Sequence, residues 1–153
     1  MARHIEQWKR LMHIYGEIDA AYHDAALKMG LSDSAMHILY TVVMAQGPVY
    51  PAEIARLSGL SRQTVNSALR GLERQGVLYL ETGTGRNRPV RLTQAGEALC
   101  RERVAPLVTA EEAVWSGWPE ADRGAYLRLS QRYLEDLRAQ VEALPDKRDG
   151  GGA

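Results

Sequence analysis

Two short helical patterns joined by a tight turn constrain the fold of this chain more than any other feature of its sequence. The first pattern begins at Pro51, which suits the first position of a helix, and ends at Gly59. The second begins after Ser61, a residue type that caps helix N-termini, and ends at Gly76. Only Gly59 and Leu60 separate the first helix from the cap of the second. Two short helices around a glycine-containing turn predict a helix-turn-helix.

A short β-hairpin is predicted directly after Gly76. Residues 77–81 (VLYLE) favour a strand, and residues 89–92 (PVRL) are interpreted as the returning strand. Between them, GTG at 83–85 predicts a flexible turn and RNR at 86–88 a charged tip. A helix-turn-helix followed directly by a hairpin is the order of elements in a winged helix.

Helical patterns precede this central part. Residues 3–29 carry apolar side chains at steps of three and four, which predict a long amphipathic helix ended by Gly30. Ser32 is a suitable cap for a further helix over roughly 33–46. The helix-turn-helix therefore follows two predicted helices.

The C-terminal part of the sequence predicts two more helices. Thr93 caps the first, which runs from Gln94 towards Trp115 and is expected to kink at Pro106, because proline removes a backbone donor. The second opens at residues 118–120 (WPE) and ends near residues 144–145. It carries two apolar stripes, and in so small a chain one of them is expected to face another copy. The stripes are formed by Leu127, Leu134 and Val141 with Ser130, Leu137 and Leu144, and by Tyr126, Leu129 and Tyr133.

The predicted fold class is therefore mainly α (α+β): a winged helix-turn-helix with a two-strand wing, flanked by N- and C-terminal dimerisation helices. Residues 31–93 are assigned to the winged helix-turn-helix, and residues 1–30 and 94–144 to the helical dimerisation region. Residues 145–153, polar and glycine-rich, are predicted to form a disordered tail.

The positive charge of the chain is concentrated in its central block. The formal net charge of the whole chain is zero, yet residues 62–91 carry six arginines against Glu73 and Glu81. Arginine suits phosphate oxygens and guanine edges, so this block predicts a nucleic-acid-binding face. On charge alone, a solvated surface is the alternative.

The chain resembles the MarR family of bacterial transcription regulators. The matching segments are LSDSAMHIL (31–39), PAEIARLSGLSRQTVNSALRGLERQGVL (51–78) and RLTQAGEAL (91–99). The resemblance implies a homodimeric repressor that binds a pseudo-palindromic DNA operator. It also implies release by a small, often phenolic, effector or by an oxidant at the junction of dimer and wing. One departure concerns the wing, where many members carry Asp-x-Arg and GTGRNRPV has no acidic residue.

The predicted DNA-reading face lies on the second helix of the helix-turn-helix. Its buried stripe is expected at Val65, Ala68, Leu69 and Leu72, which leaves the polar side chains outward. Arg pairs with guanine, Gln or Asn pairs with adenine, and hydroxyls near a helix N-terminus suit phosphates. A merely solvated polar face is the alternative. The predicted DNA-binding residues are Ser61, Arg62, Gln63, Thr64, Asn66, Ser67 and Arg70, with Arg86 and Arg88 from the wing.

An effector pocket is predicted where the dimer meets the wing. A small aromatic molecule needs an apolar cavity with a few polar groups. The residues proposed to line it are Trp8, Met12, Tyr15, His37 and Tyr40. For each of them, ordinary core packing is the alternative.

Cys100 is the only cysteine, so no intramolecular disulfide is possible and a reducing compartment fits. It is predicted to be a buried structural thiol, with an oxidant sensor beside Arg101 and Arg103 as the alternative. The histidines offer no close ligand spacing and no catalytic constellation is recognisable, so neither a metal, a cofactor nor an enzymatic activity is predicted. Without a signal peptide or a long apolar run, the chain is expected in the cytoplasm, and the resemblance to the MarR family implies a bacterial cytoplasm and a place at the nucleoid.

Two other classes of function compete with DNA recognition. A winged helix that binds protein would carry acidic or apolar residues on the exposed face of 62–75, and apart from Glu73 that face is polar or basic. A ligand-binding or enzymatic dimer would need a convergent polar constellation, which the sequence does not offer. DNA recognition is therefore the leading interpretation.

Overall fold

The computed structural model describes residues 2–45, 47–82 and 88–145. The predicted turn of the wing, the tip residue Arg86 and the predicted tail from 146 onward lie outside the described residues. The chain forms two compact units, Met1–Ala110 and Glu111–Ala153.

The described chain is mainly helical and contains one two-stranded antiparallel sheet, which confirms the predicted fold class. The helices are α1 (Ala2–Met29), α2 (Asp33–Ala45), α3 (Pro51–Ser58), α4 (Arg62–Arg74), α5 (Gln94–Leu99), α6 (Ala105–Ser116) and α7 (Glu120–Glu142). The strands are β1 (Leu78–Leu80) and β2 (Val90–Leu92), and a π-helical turn at Cys100–Val104 joins α5 to α6.

The turn between α3 and α4 has the conformation that its sequence predicts. Gly59 has a φ of 71°, in the left-handed region that glycine enters without steric cost. Its N–H donates to the carbonyl oxygen of Ala55 at 3.1 Å, which closes α3. Ser61 caps α4, because its Oγ accepts from the N–H of Thr64 at 3.0 Å. Local chemistry on both sides of the turn therefore sets where the two helices end and begin.

Strands β1 and β2 form the base of the wing. They pair in antiparallel register, with Tyr79 opposite Arg91 and Leu80 opposite Val90. Val90 also bridges to Val49, to whose carbonyl oxygen its N–H donates at 2.8 Å. The returning strand is therefore bonded on one side to β1 and on the other to the segment that precedes α3.

The core of the first unit joins the helices to the base of the wing. Met36 of α2, Ile54 of α3 and Leu69 of α4 are buried together with Leu78 and Val90 of the hairpin. Burying an aliphatic side chain of this size contributes about 1.5–3 kcal/mol. The helix-turn-helix and the wing base thus share one hydrophobic core.

A close approach of backbones fixes α5 to the wing. The N–H of Thr93 donates to the carbonyl oxygen of Val77 at 3.0 Å, and its Oγ1 caps α5 by accepting from the N–H of Gly96 at 3.0 Å. A Cβ at Gly96 would overlap the Val77 carbonyl oxygen, so the approach requires glycine. The compact unit consequently continues past the predicted end of the winged helix-turn-helix and takes in the buried Cys100 and Val104.

Pro106, where a kink is predicted, lies just after the π-helical turn at Cys100–Val104. Here the N–H of Ala105 donates to the carbonyl oxygen of Cys100, one residue further back than in an α-helix. Pro106 has no N–H to donate to the carbonyl of Glu102, so an α-helical bond is missing at this point in any case.

The second unit contains a helical corner with an aromatic cluster. The ring of Trp118 lies 5.8 Å from that of Trp115 and 5.6 Å from that of Tyr126. Arg123 donates from Nη1 to the carbonyl oxygen of Trp118 at 2.5 Å, at the start of α7. No described residue of α7 is buried. Its exposed apolar side chains include Leu127, Leu129, Leu134, Leu137 and Val141, with exposed fractions between 40% and 59%.

A similar uncovered stripe runs along α1. Uncovered apolar side chains that lie together mark an interaction surface. The uncovered side chains of α1 are Ile5, Trp8, Met12, Tyr15 and Ile18, which are 37% to 47% exposed.

No helix in the described ranges is long and apolar enough to cross a membrane.

Candidate nucleic-acid interface

Helix α4 separates a buried apolar face from an exposed polar face. Val65, Leu69 and Leu72 are only 1–2% exposed, and Ala68 is half-buried, which agrees with the predicted inward stripe. Every side chain predicted to read bases stands at an exposed position. These side chains are Arg62, Gln63, Asn66, Ser67 and Arg70.

The positive charge on this face is not neutralised by an ion pair within the described residues. Over the described ranges, no carboxylate lies within ion-pair distance of Arg62 or Arg70. Each guanidinium group carries five N–H donors in a planar fork. A bidentate contact to guanine or to a phosphate can therefore form without breaking an existing ion pair.

The hydroxyl groups at the start of α4 are held by one another. Ser61 Oγ lies 2.8 Å from Thr64 Oγ1, and both side chains are exposed. The first N–H groups of a helix have no acceptor within the helix. This end of α4 therefore combines hydroxyls, N–H donors and the positive end of the helix dipole, which together suit an anion.

A polar hollow of about 350 Å³ lies between α4 and the first turn of α2. It is lined by Ser34 together with Gln63, Thr64, Ser67 and Ala68. Ser34 is not among the predicted DNA-binding residues, because its place beside α4 depends on how α2 packs. The local signal for it is a hydroxyl in the first turn of a helix, where anions bind well.

Two arginines hold the base of the wing. Arg88 donates from Nε to the carbonyl oxygen of Glu81 at 3.0 Å and from Nη2 to that of Leu80 at 2.8 Å. Arg91 donates from Nε to the carboxylate of Glu81 at 2.9 Å. An acidic residue is thus present at the base of the wing, where it pairs across the strands. The pair depends on the strand register, so sequence inspection alone does not reveal it.

The predicted effector residues lie on two helices. Trp8, Met12 and Tyr15 belong to the exposed stripe of α1, whereas His37 and Tyr40 are half-buried on α2. None of the five lines the polar hollow beside α4. The hollow is polar, whereas the predicted effector site requires an apolar cavity, so the two are different features.

Cys100 lies in the core and is 4% exposed. Burial raises the pKa of its thiol to about 11, so the sulfur keeps its proton at neutral pH. A sensing cysteine needs the thiolate, and this surrounding favours the structural interpretation instead. Among the described residues, no group of three or more His, Cys, Asp and Glu side chains could hold a metal ion.

A tight turn, an exposed polar helix behind it and a two-stranded wing base define this chain as a winged helix-turn-helix protein. Residues 29–88 match the model of the MarR family. The predicted resemblance of these motifs to the MarR family of transcription regulators is confirmed for this part of the chain. The family is one of transcription regulators, which agrees with the prediction that the chain is not an enzyme.

Solved structures of MarR family regulators share the fold. One from Neisseria meningitidis is 19% identical, with 90% of this chain and 96% of that chain covered at a TM-score of 0.74. MepR of S. aureus in its complex with DNA is 20% identical, with 84% and 96% covered at a TM-score of 0.65. One from Silicibacter pomeroyi is 23% identical, with 82% and 86% covered at a TM-score of 0.63. No curated protein matches the chain in sequence.

Proposed function

We propose that the chain is a homodimeric transcription regulator that binds a pseudo-palindromic double-stranded DNA operator in the bacterial cytoplasm, at the nucleoid. In this proposal the chain is a repressor that is released from DNA by a small molecule. Phenolic compounds are the first candidates for this effector. The observation that carries the proposal is the exposed polar face of α4, which stands on a buried apolar stripe and bears Arg62 and Arg70.

The proposed role of α4 is to read bases in the major groove. Arg62 and Arg70 have the donors for guanine O6 and N7, and Gln63 and Asn66 have the donor and acceptor pair for adenine. Ser67 adds a smaller hydroxyl contact between them. Because Val65, Leu69 and Leu72 fix the helix to the core, the polar side chains are presented from a rigid support.

Phosphate contacts are proposed at both ends of this face. Ser61 and Thr64 offer hydroxyls at the N-terminus of α4, and Ser34 adds another across the polar hollow. Arg86 is the proposed phosphate contact from the hairpin, whereas Arg88, which bonds the carbonyl groups of Leu80 and Glu81, holds the base of the wing. Contacts of this kind set register and orientation, whereas the base contacts set sequence preference.

The proposed dimer uses residues 1–30 and 94–144. Support comes from the uncovered apolar side chains of α1 and of α7, since monomeric proteins rarely expose such stripes. A two-fold dimer presents two copies of α4, which is what a pseudo-palindromic operator requires.

The proposed effector site takes Trp8, Met12 and Tyr15 from α1 and His37 and Tyr40 from α2. In a single chain the α1 residues are 37% to 45% exposed, so a second protomer could complete an apolar enclosure around them. Aromatic rings with a nearby imidazole suit a small phenol, which needs apolar walls and one hydrogen-bond partner.

The proposal is tested by measuring binding of the full chain to the promoter region beside its own gene. We expect site-specific retention at about 150 mM salt, with an affinity that falls steeply as salt rises. A shuffled fragment of the same length and base composition is the matched control. Equal affinity for both fragments, or no retention of either, would contradict the proposal. If the chain bound a partner protein but neither DNA fragment, the result would favour a protein-interaction module.

A further inference from the structure

The neck of the wing, which comprises residues 80–81 and 88–90, lacks one hydrogen bond of the antiparallel ladder. The N–H of Glu81 donates to the carbonyl oxygen of Pro89 at 3.0 Å, so these two residues stand opposite each other as a bonded pair. In an antiparallel sheet the partner would return a bond from its own N–H, which proline does not have. The carbonyl oxygen of Glu81 therefore lacks its usual ladder donor.

The carbonyl group of Leu80, the preceding residue of β1, also receives no hydrogen bond from β2. Leu80 stands opposite Val90, and Val90 sends its N–H to Val49 instead, at 2.8 Å. Bonded and non-bonded pairs alternate along an antiparallel ladder, so Leu80 and Val90 form a non-bonded pair. Neither of two successive carbonyl groups, those of Leu80 and Glu81, therefore receives a hydrogen bond from β2 or Pro89.

Arg88 supplies both donors from one planar group. Its Nη2 lies 2.8 Å from the Leu80 oxygen and its Nε lies 3.0 Å from the Glu81 oxygen. We infer that Arg88 is a positioning residue: its guanidinium replaces the hydrogen bond that Pro89 removes and holds the two sides of the hairpin together at residues 80–81 and 88–90. The effect on DNA rests on the proposed function, but the clamp itself does not.

This role refines what the sequence predicts for Arg88. Two of the five N–H donors of the Arg88 guanidinium bond the neck of its own wing, and the inferred contribution of this side chain to DNA binding is to hold the hairpin. Glu81 is held twice, by Arg88 at its carbonyl and by Arg91 at its carboxylate. The neck is therefore rigid at the residues from which the wing extends.

The first experiment needs no DNA and measures amide hydrogen exchange at Glu81, whose N–H bonds the Pro89 oxygen. Arg88→Ala should speed this exchange by about three- to tenfold, the factor for one net hydrogen bond. Arg88→Lys should behave like Arg88→Ala, because an ammonium does not reproduce the planar fork. Exchange unchanged in both variants would overturn the clamp.

A rescue variant separates the clamp from general damage to the fold. Pro89→Ala restores a backbone N–H opposite the Glu81 carbonyl, so Arg88→Ala in that background should leave the exchange rate within about twofold of Pro89→Ala alone. Strictly additive effects of the two substitutions would contradict the inference.

The second experiment measures operator affinity in the parent protein and in the same four variants: Arg88→Ala, Arg88→Lys, Pro89→Ala and the double variant. A positioning role predicts that Arg88→Lys loses affinity although it keeps its charge, and that Pro89→Ala restores much of what Arg88→Ala loses. A direct phosphate contact would leave Arg88→Lys close to the parent and would show no rescue, and this result would overturn the inference. If the parent protein binds no operator, the proposed function fails while the exchange results still decide the clamp.

Discussion

The carbonyl oxygen of Val77 stands where a Cβ of residue 96 would have to lie, so Gly96 cannot gain a side chain without moving the wing or α5. Gly96→Ala is therefore expected to lower the free energy of unfolding by about 1–3 kcal/mol or more, as overpacking does. Urea unfolding at a fixed protein concentration measures it. Gly71→Ala is the matched control, because nothing lies within 4 Å of a Cβ there, and it should be neutral or stabilising. Equal effects at both positions would contradict the close approach.

Arg70→Ala is expected to weaken operator binding by about 1–3 kcal/mol and to relax preference at one base position. The reason is that its exposed guanidinium has no ion-pair partner among the described residues and can serve a guanine edge. Fluorescence anisotropy with a labelled operator and its single-base variants measures both effects. Arg101→Ala removes the same charge from another exposed position and should change affinity little. Unchanged affinity in a folded Arg70→Ala protein would remove this residue from the reading face.

Ser34→Ala is expected to lower affinity by about 1 kcal/mol for operator and unrelated DNA alike, because a hydroxyl in the polar hollow would bond a phosphate oxygen. Ser34→Asp should weaken binding further through repulsion between carboxylate and phosphate. Competition assays on both DNAs compare the variants. Ser116→Ala, at the end of α6, serves as the control. Loss confined to the specific operator would mean that Ser34 reads a base instead.

Leu137→Asp is expected to lower the dimer affinity by at least tenfold, because it puts a charge on the uncovered apolar stripe of α7. Sedimentation equilibrium measures the monomer–dimer constant. Arg132→Ala alters a side chain of the same helix that is 79% exposed and pairs weakly with Asp136 at 3.7 Å, so it should leave the constant nearly unchanged. A parent protein that is monomeric at every concentration would contradict the dimer, and DNA binding by Leu137→Asp as tight as in the parent would contradict the need for it.

The buried thiol of Cys100 predicts a loss of stability at alkaline pH. Its pKa is raised to about 11 in the fold from 9.0, so the unfolded chain releases this proton first as pH rises. The contribution of the thiol is complete below pH 9 and is lost as the pH passes from about 9 to 11. The free energy of unfolding should therefore decrease less between pH 8 and pH 10.5 in Cys100→Ala than in the parent protein. Equal falls would contradict the pKa, and rapid loss of operator binding on mild peroxide treatment would contradict a structural role.

The helix boundaries could be predicted because the chemistry that sets them is local. Gly59, Ser61 and Thr93 form the predicted turn and caps through bonds to residues only three or four positions away. The inward stripe of α4 was equally accessible, since helical periodicity alone brings Val65, Leu69 and Leu72 to one face.

The base of the wing could not be predicted in the same way. Whether Arg88 reaches DNA or the neck of the hairpin depends on which carbonyls β2 leaves without a donor, and this depends on strand register and on Pro89. The hollow beside Ser34 likewise joins helices that are distant in sequence. Both features arise from tertiary packing, for which a single sequence contains no local signal.

The π-helical turn at Cys100–Val104 acts as a phase shift in the long helical run that leaves the wing. One additional residue in a turn rotates every later side chain by about 100° around the helix axis. The faces that α6 presents to its surroundings are therefore set by a single inserted position rather than by the composition of α6 itself. If one residue were deleted from this turn, nearly all of the sequence would be kept, yet α6 would turn a different side towards its surroundings. The length of this segment therefore determines the orientation of α6 as much as its amino acids do.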